Sequence, residues 1–314
     1  MWFWLSLVAM LFWSGSDIFS KIGSKPKDKY SHWKMVMAVG LIMGLHAAYE
    51  IFVNGVSITF NDILVYMPAS ALYILSMIFG YVSLRYIELS ISSPICNSSG
   101  TVSAILCLIF LHETIETLGV VGIVLIGIGV ISLGIITMRE DEELRIRRQQ
   151  NANRKYAKSF LAILLPLLYC FIDAAGSFVD ALILREEPTG TVFDNILSAT
   201  LPEATANVAY ELTFLFIGII AAIYVFGIRR QKIELPSEGS KVLGGICETA
   251  GQLAYVYVVG DEKNSGYGLA IISAYCVVSM IWSHIFLKEK LSWKHYVAIA
   301  LTAVGIVIIG FLDL

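Results

Sequence analysis

The chain has 314 residues, of which 57% are hydrophobic and 15% are charged, and its mean hydropathy is +0.75. A soluble domain carries about a quarter charged residues, so this composition excludes a water-soluble globule. The formal net charge of -3 offers no basic surface to a phosphate backbone, which argues against nucleic acid as a partner. The lipid bilayer is therefore the expected surrounding of most of the chain.

Apolar segments long enough to cross a membrane recur along the whole sequence. A helix needs about 20 apolar residues to span the hydrocarbon core, and segments of this length are too long and continuous for barrel strands. The sequence therefore predicts an all-α fold, a polytopic membrane bundle of about ten transmembrane helices. The predicted spans are 1–23, 32–54, 62–84, 91–111, 117–138, 158–182, 205–228, 242–260, 266–287 and 294–312.

Lys and Arg are distributed unequally between the loops. Of the 22 basic residues, all but Arg185 and Lys263 lie in or beside loops that follow odd-numbered spans. Because positively charged loops stay on the cytoplasmic side, both chain termini are predicted to face outside. The expected location is the plasma membrane, as a multi-pass protein of a bacterium.

An internal repeat relates the two halves of the chain. The segment 110–115 recurs as 286–291, at a shift of 176 residues. Five spans per half is an odd number, so the two halves must be inverted relative to each other across the membrane. The predicted domains are a first five-helix repeat at 1–138, a charged cytoplasmic linker at 139–157 and a second five-helix repeat at 158–314.

A Phe-Leu-x-Glu turn precedes the last helix of each half, at 110–113 and at 286–289. The first span carries Trp13-Ser14-Gly15, and Lys21 follows the Trp by eight residues. Two five-helix halves with these motifs resemble the EamA-like branch of the drug/metabolite transporter superfamily. The resemblance implies a transporter in which spans one, three, four, six, eight and nine line a central cavity. It also implies that spans five and ten are outer braces or the surface of a homodimer.

Six carboxylates fall inside the predicted spans, where an ionised side chain costs about 2.5 to 3.5 kcal/mol at mid-bilayer. The same segments contain one clear cation, Lys21, together with His46 and His284. Such acids must face water, a ligand or each other, or take up protons. This balance favours a cationic or amine-bearing solute, proton coupling, or both. The six are Asp17, Glu50, Asp173, Asp180, Glu211 and Glu248.

Three of these acids are candidates for binding a solute or coupling its transport. Asp17 and Asp173 occupy matching positions in the two halves, and Lys21 lies one helical turn from Asp17, a spacing that favours an ion pair. Asp173 lies near mid-bilayer. Glu248 lies among glycines that leave room for a ligand. A structural ion pair and a buried, hydrogen-bonded carboxyl are the alternatives.

The other acids are expected to have local roles. Asp180 and Glu211 fall near outer helix ends, where water would reach them. His46 and Glu50 share a face of the second span, and local pairing is at least as good an explanation for them as solute contact.

Uncharged polar residues form a second candidate set. Ser93, Asn97 and Thr101 recur at four-residue spacing, which places them on one stripe of the fourth span, and the repeat pairs Asn97 with Ser273. Such a stripe must face the bundle or a cavity, with hydrogen bonding between helices as the alternative. The predicted substrate-binding or coupling residues are Asp17, Lys21, Asn97, Asp173, Glu248 and Ser273.

Three classes of function compete, and a secondary transporter that works by alternating access explains the most features. An intramembrane enzyme would need a recognisable constellation such as HExxH, and none is present in the sequence. A non-transporting scaffold or sensor would be expected to carry a soluble domain. The five cysteines are scattered singly without a CxxC pair, so neither a metal site nor a cofactor is expected.

Overall fold

The computed structural model describes the chain in eight ranges. Within them the regular secondary structure is helical, and ten helical segments are long and apolar enough to cross a membrane. This confirms the predicted all-α polytopic bundle. The linker predicted at 139–157 lies outside the described residues apart from Arg139, as do Glu113 and Glu289, so the domain boundaries stay a prediction. The described ranges are 1–24, 28–86, 89–111, 116–139, 161–185, 200–232, 235–288 and 291–312.

Eleven α-helices in the described ranges form the ten crossings, because the ninth crossing is divided in two. One of these helices, Glu203–Ala222, continues directly as a π-helical turn, Ile223–Ile228. The first half contains α1 (Trp2–Gly23), α2 (Ser31–Phe52), α3 (Phe60–Tyr86), α4 (Leu89–Phe110) and α5 (Thr117–Met138). The second half contains α6 (Leu161–Leu184), α7 (Glu203–Ala222), α8 (Leu235–Val259), α9 (Ser265–Ser273), α10 (Tyr275–Phe286) and α11 (Trp293–Gly310).

The break in the ninth crossing lies near its middle. Between α9 and α10, Ala274 has a φ of -74° and a ψ of 0°, and its N–H donates to the carbonyl of Ile271 at 3.0 Å. This hydrogen bond reaches back three residues, as in a 3₁₀-helix, and not four as in an α-helix, so the chain is wound more tightly here. Gly100 of α4 lies against the break, since a Cβ built there would be 2.6 Å from the Cβ of Ser273. Only a glycine lets α4 approach this closely.

The pattern of helix contacts is preserved when the two halves are exchanged. The helix α1 packs on α8 as α3 packs on α6, and α4 contacts α6 as α1 contacts α9 and α10. Exchanging the halves leaves two contacting pairs unchanged, because α2 packs on its own counterpart α7 and α5 packs on its own counterpart α11. This packing is the arrangement that two equivalent five-helix units produce.

Contacts between helix ends define the two ends of the bundle. At one end the ring of Trp2 stacks on Tyr267, with 5.9 Å between centroids, and Phe3 lies beside Gly310. We call this the terminal end, and the opposite one, where α1 ends and α2 begins, the basic end. The basic end is the face that the Lys and Arg distribution predicts to lie in the cytoplasm.

Buried lysines tie the basic end together. The Nζ of Lys34 lies 2.9 Å from Asp28 and 3.4 Å from Glu238, and the Nζ of Lys241 lies 3.2 Å from Glu238. Burial opposes ionisation of Asp28, but hydrogen bonds from Lys34 and from the N–H of Tyr30, with the charges of both lysines, hold its pKa below the ordinary value. Asp28 and the start of α2 are thereby held against α8.

Candidate functional site

A central cavity lies between the two halves. It contains about 910 Å³ of space free of protein atoms, including space open to solvent. All six crossings that the resemblance implies contribute residues to its wall, and Tyr210 of α7 adds a seventh. The wall therefore draws on both halves of the chain.

Five of the six residues predicted from the sequence lie on this wall. The sixth, Lys21, lies one turn beyond Asp17 towards the basic end, where its Nζ donates to the carbonyl of Leu84 at 2.8 Å. Lys21 thus joins α1 to α3 and is not among the described residues that line the cavity. The five on the wall are Asp17, Asn97, Asp173, Glu248 and Ser273.

Serine hydroxyls hold Asp17 in place from two other helices. Its Oδ2 accepts hydrogen bonds from Ser93 of α4 at 2.5 Å and from Ser279 of α10 at 2.8 Å. Ser93 in turn accepts from the side-chain amide of Asn97 at 3.1 Å. The polar stripe predicted on the fourth span therefore reaches Asp17 directly.

The other two carboxylates have similar surroundings. Asp173 accepts from Ser76 at 3.1 Å and from Ser99 at 2.7 Å, and Glu248 accepts from Ser16 at 2.6 Å. Each carboxylate is therefore oriented by a hydroxyl that belongs to a different helix. These donors fix the position of the oxygens, but they carry no charge.

The charge of the cavity wall has one sign. Among the described residues that line it, the charged side chains are Asp17, Asp173 and Glu248. Carboxylates removed from bulk water need a proton or a cationic partner to offset the cost of burial. A cleft lined by one sign of charge also raises the local concentration of ions of the opposite sign. The cavity is therefore suited to a cation or to protons.

Aromatic rings form much of the remaining wall. The ring of Trp13 lies 5.0 Å from that of Tyr255 and 5.9 Å from that of Tyr275, measured between centroids. Tyr73 and Tyr210 also line the cavity. Aromatic faces attract cations by about 0.5 to 2 kcal/mol, so this wall adds to the preference of the carboxylates.

Two tyrosines close the cavity towards the terminal end. The hydroxyls of Tyr73 on α3 and Tyr255 on α8 lie 2.5 Å apart, and we call this pair the tyrosine barrier. Behind it, Asp180 accepts from Tyr73 at 3.2 Å and from Tyr66 at 2.7 Å. Asp180 has no exposed surface, so the expectation that water reaches it near a helix end was wrong.

Glu211 is likewise fully buried, which the sequence did not predict. The reason is the contact between α2 and α7, where the Nδ1 of His46 lies 2.8 Å from Glu211. The Nε2 of His46 lies 3.5 Å from Glu50, and Asn207 donates to Glu211 at 3.1 Å. The predicted pairing of His46 with Glu50 is present, and neither residue is among the described lining residues.

The cavity wall extends towards both ends of the bundle. At the basic end it includes Ser20, Leu84 and Ser92, each within about one turn of the end of its helix. Towards the terminal end it includes Tyr255 of the tyrosine barrier and Leu269, each four residues from the end of its helix.

Sequence reasoning missed the serines that orient the acids. Ser16, Ser76, Ser99 and Ser279 belong to four different helices, and each donates to a cavity carboxylate. Serine is also common at ordinary helix contacts in membranes, so its presence in a span does not distinguish a cavity from packing. A useful signal would have been serine next to a buried acid, as in Ser16-Asp17.

Comparison with known proteins confirms the resemblance seen in the sequence. Residues 1–135 and 177–311 match the EamA-like transporter family. An uncharacterized protein of Methanocaldococcus jannaschii is 31% identical over 132 residues, which are 42% of this chain and 94% of that protein. A crystal structure with 13% identity superposes with a TM-score of 0.67 over 99% of this chain and 98% of the other, and it shows the same fold. The chain belongs to the EamA-like transporter family, membrane transporters of the drug/metabolite transporter superfamily.

Proposed function

We propose that the protein is a secondary transporter that moves a small cationic or amine-bearing solute across the plasma membrane by alternating access. We assign solute binding or coupling to Asp17, Asn97, Asp173, Glu248 and Ser273 on the cavity wall. Lys21, one turn from Asp17, supports the site from the basic end by joining α1 to α3.

One observation carries this proposal: the charged side chains on the described cavity wall are all carboxylates, and serine hydroxyls orient each of them. A solute with a positive charge would supply the missing partner, and the rings of Trp13 and Tyr255 would cover its apolar parts. An anionic solute would meet three like charges at close range.

The same carboxylates are suitable sites for protons. A cation that leaves the cavity exposes carboxylates that must be neutralised again before the bundle can change its conformation. Protons from the far side would fulfil this requirement, so we propose that cation and proton exchange at the same site. In the other half of the transport cycle the cavity has to open towards the terminal end. The two hydroxyls of the tyrosine barrier have to separate for this.

A binding panel followed by flux measurements tests the proposal. The purified protein is heated with tetramethylammonium, guanidinium, methylammonium, glucose or phosphate, since a bound ligand raises the unfolding temperature by mass action. We expect one or more of the cations to stabilise the protein and the Asp173→Asn variant to lose this effect. Proteoliposomes then measure flux of the same cation against an imposed pH gradient.

Glu50→Gln is the matched control, because it neutralises a carboxylate of α2 that is not among the described lining residues. It should bind the cation as the unchanged protein does. Stabilisation by phosphate or glucose alone, or equal binding by Asp173→Asn, would contradict the proposed cationic solute.

A further inference from the structure

Asp180 continues a polar stripe that begins inside the cavity. On α6, Asp173, Ser177 and Asp180 follow one another at four-residue and three-residue spacing, so they share one face of the helix. Asp173 and Ser177 line the cavity. Asp180 lies about 10 Å further along the helix axis, in the direction of the terminal end.

The tyrosine barrier separates the two acids. Tyr73 and Tyr255 line the cavity on one side, and the hydroxyl of Tyr73 donates to Asp180 on the other. The wall between cavity and carboxylate is therefore one side chain thick. Opening the hydrogen bond between Tyr73 and Tyr255 would connect Asp180 with the cavity.

The hydrogen-bond partners of Asp180 make a purely structural role expensive. Among the described residues, the two groups that donate to it, Tyr66 and Tyr73, are neutral hydroxyls. A neutral amide could keep both contacts without the cost of a buried charge, since its oxygen could accept from Tyr66 while its nitrogen donates to the hydroxyl of Tyr73. An acid at this depth is better explained by a charged partner that occupies the position during part of a cycle.

The two tyrosines of the barrier belong to helices that are equivalent in the two halves. Tyr73 belongs to α3 and Tyr255 to α8, and these helices exchange when the halves are exchanged. A movement of one half against the other therefore changes the distance between the two hydroxyls.

We propose that Asp180 is a second cation-binding carboxylate on the path, located on the terminal side of the tyrosine barrier. This inference rests on the proposed transport of a cation. When Tyr73 and Tyr255 separate, the cation passes between the carboxylate of Asp173 and the carboxylate of Asp180, both on α6. The path thus has an acidic binding position on each side of the tyrosine barrier.

Cys96 provides a reporter inside the cavity, because it lines the wall. In the reporter protein the other four cysteines are replaced by alanine. The single-cysteine protein is placed in proteoliposomes, and a membrane-impermeant thiosulfonate is added to one compartment. Trimethylammonioethyl methanethiosulfonate is the cationic probe, and sulfonatoethyl methanethiosulfonate is the anionic one. A separate Asn54→Cys variant reports orientation, since Asn54 is exposed in the 53–59 turn.

Tyr73→Phe removes both hydrogen bonds of the barrier hydroxyl, and we expect it to speed the reaction of Cys96 with the cationic probe from the terminal end by about tenfold. Tyr257→Phe is the matched control, since Tyr257 lies on the same helix as Tyr255 but is exposed and is not among the described residues that line the cavity. Adding Asp180→Asn to Tyr73→Phe should reduce the preference for the cationic over the anionic probe from the terminal end alone. Asp180→Glu should retain that preference.

The outcomes separate the two proposals. The second binding carboxylate is supported if Asp180→Asn removes the preference for the cationic probe when the probes are added at the terminal end. The same variant must leave that preference unchanged when the probes are added at the basic end. The proposal is overturned if the preference for the cationic probe from the terminal end is the same with aspartate and with asparagine at position 180. It is also overturned if Tyr73→Phe does not speed the reaction of Cys96 from the terminal end. Equal rates for both probes from the basic end would instead contradict the cationic cavity itself.

Discussion

Asp17 and Ser279 are 262 residues apart in the sequence, yet the serine hydroxyl donates to the carboxylate at 2.8 Å. This hydrogen bond joins α1 of the first half to α10 of the second, five residues after the break at Ala274. Because Ser279 lies on the second segment of the divided ninth crossing, a movement of α10 would change the surroundings of Asp17. The contact therefore links the proposed binding site to a crossing that is divided within the membrane, as in transporters with discontinuous helices.

Asp17→Asn should weaken binding of the cation found in the panel by about tenfold or more, because it removes a charge that faces the solute. Ser279→Ala keeps the charge and removes one oriented hydrogen bond, so its effect should be smaller, about threefold. Titration of the purified proteins with the cation measures both. Ser283→Ala, whose hydroxyl donates to a backbone carbonyl of its own helix, should bind normally. An equal loss in Ser283→Ala would show that the effect is not specific to the contact with Asp17.

Asp173→Asn should abolish flux driven by a pH gradient while the protein remains folded. The amide oxygen can accept from Ser99 and the amide nitrogen can donate to the hydroxyl of Ser76, so the local packing is retained, but the side chain cannot take up a proton at neutral pH. A pH-sensitive dye enclosed in proteoliposomes measures the flux, with Glu50→Gln as the control. Unchanged flux in Asp173→Asn would remove this residue from the coupling site.

Gly100→Ala should destabilise the protein by about 1 to 3 kcal/mol, since an added methyl group overpacks the contact between α4 and α9. The new Cβ would lie 2.6 Å from that of Ser273 and 2.8 Å from the carbonyl oxygen of Leu269. Gly134→Ala is the control, because its Cβ would meet its nearest neighbour at 3.6 Å, an ordinary contact. Thermal unfolding in one detergent compares the variants. Equal stability of the two would mean that α4 and α9 can separate without cost.

The buried network at the basic end should lose stability in acid. The pKa of Asp28 is lowered in the folded protein, so its contribution is present above the unfolded value and is lost as the pH falls through the lower folded value. For an aspartate this window lies below about pH 4. Unfolding temperatures across this range should fall more steeply for the unchanged protein than for Asp28→Asn, which lacks the titrating group. If unfolding temperature fell equally steeply with pH in both proteins, the ion pair between Asp28 and Lys34 would not contribute to stability.

Hydropathy predicted the crossings well because it is a property of each segment alone. The ten segments agree with the ten observed crossings to within three residues at most helix ends, although α8 begins at Leu235, seven residues before the predicted start at 242. The division of the ninth crossing was not predictable from hydropathy, since α9 and α10 are both apolar. It became visible only in the backbone hydrogen bonds around Ala274.

The acids show where reasoning from position along a span fails. Asp180 was expected near water because it lies close to a helix end, but Tyr66 of α3 and Tyr73 of the same helix cover it. Distance from a helix end gives depth in the membrane and says nothing about which face of the helix meets a neighbour. The same reason explains Glu211, which is buried by the contact of α7 with α2.

By itself the sequence determined a membrane protein of ten helices in two related halves, with more acids than bases inside the bilayer. These are properties of composition, hydropathy and repetition, which need no knowledge of how the helices meet. The tertiary structure decided which acids share a cavity, which serines hold them and which tyrosines divide Asp173 from Asp180. Those relationships join side chains on helices far apart in the chain, and they exist only where packing brings the two halves together.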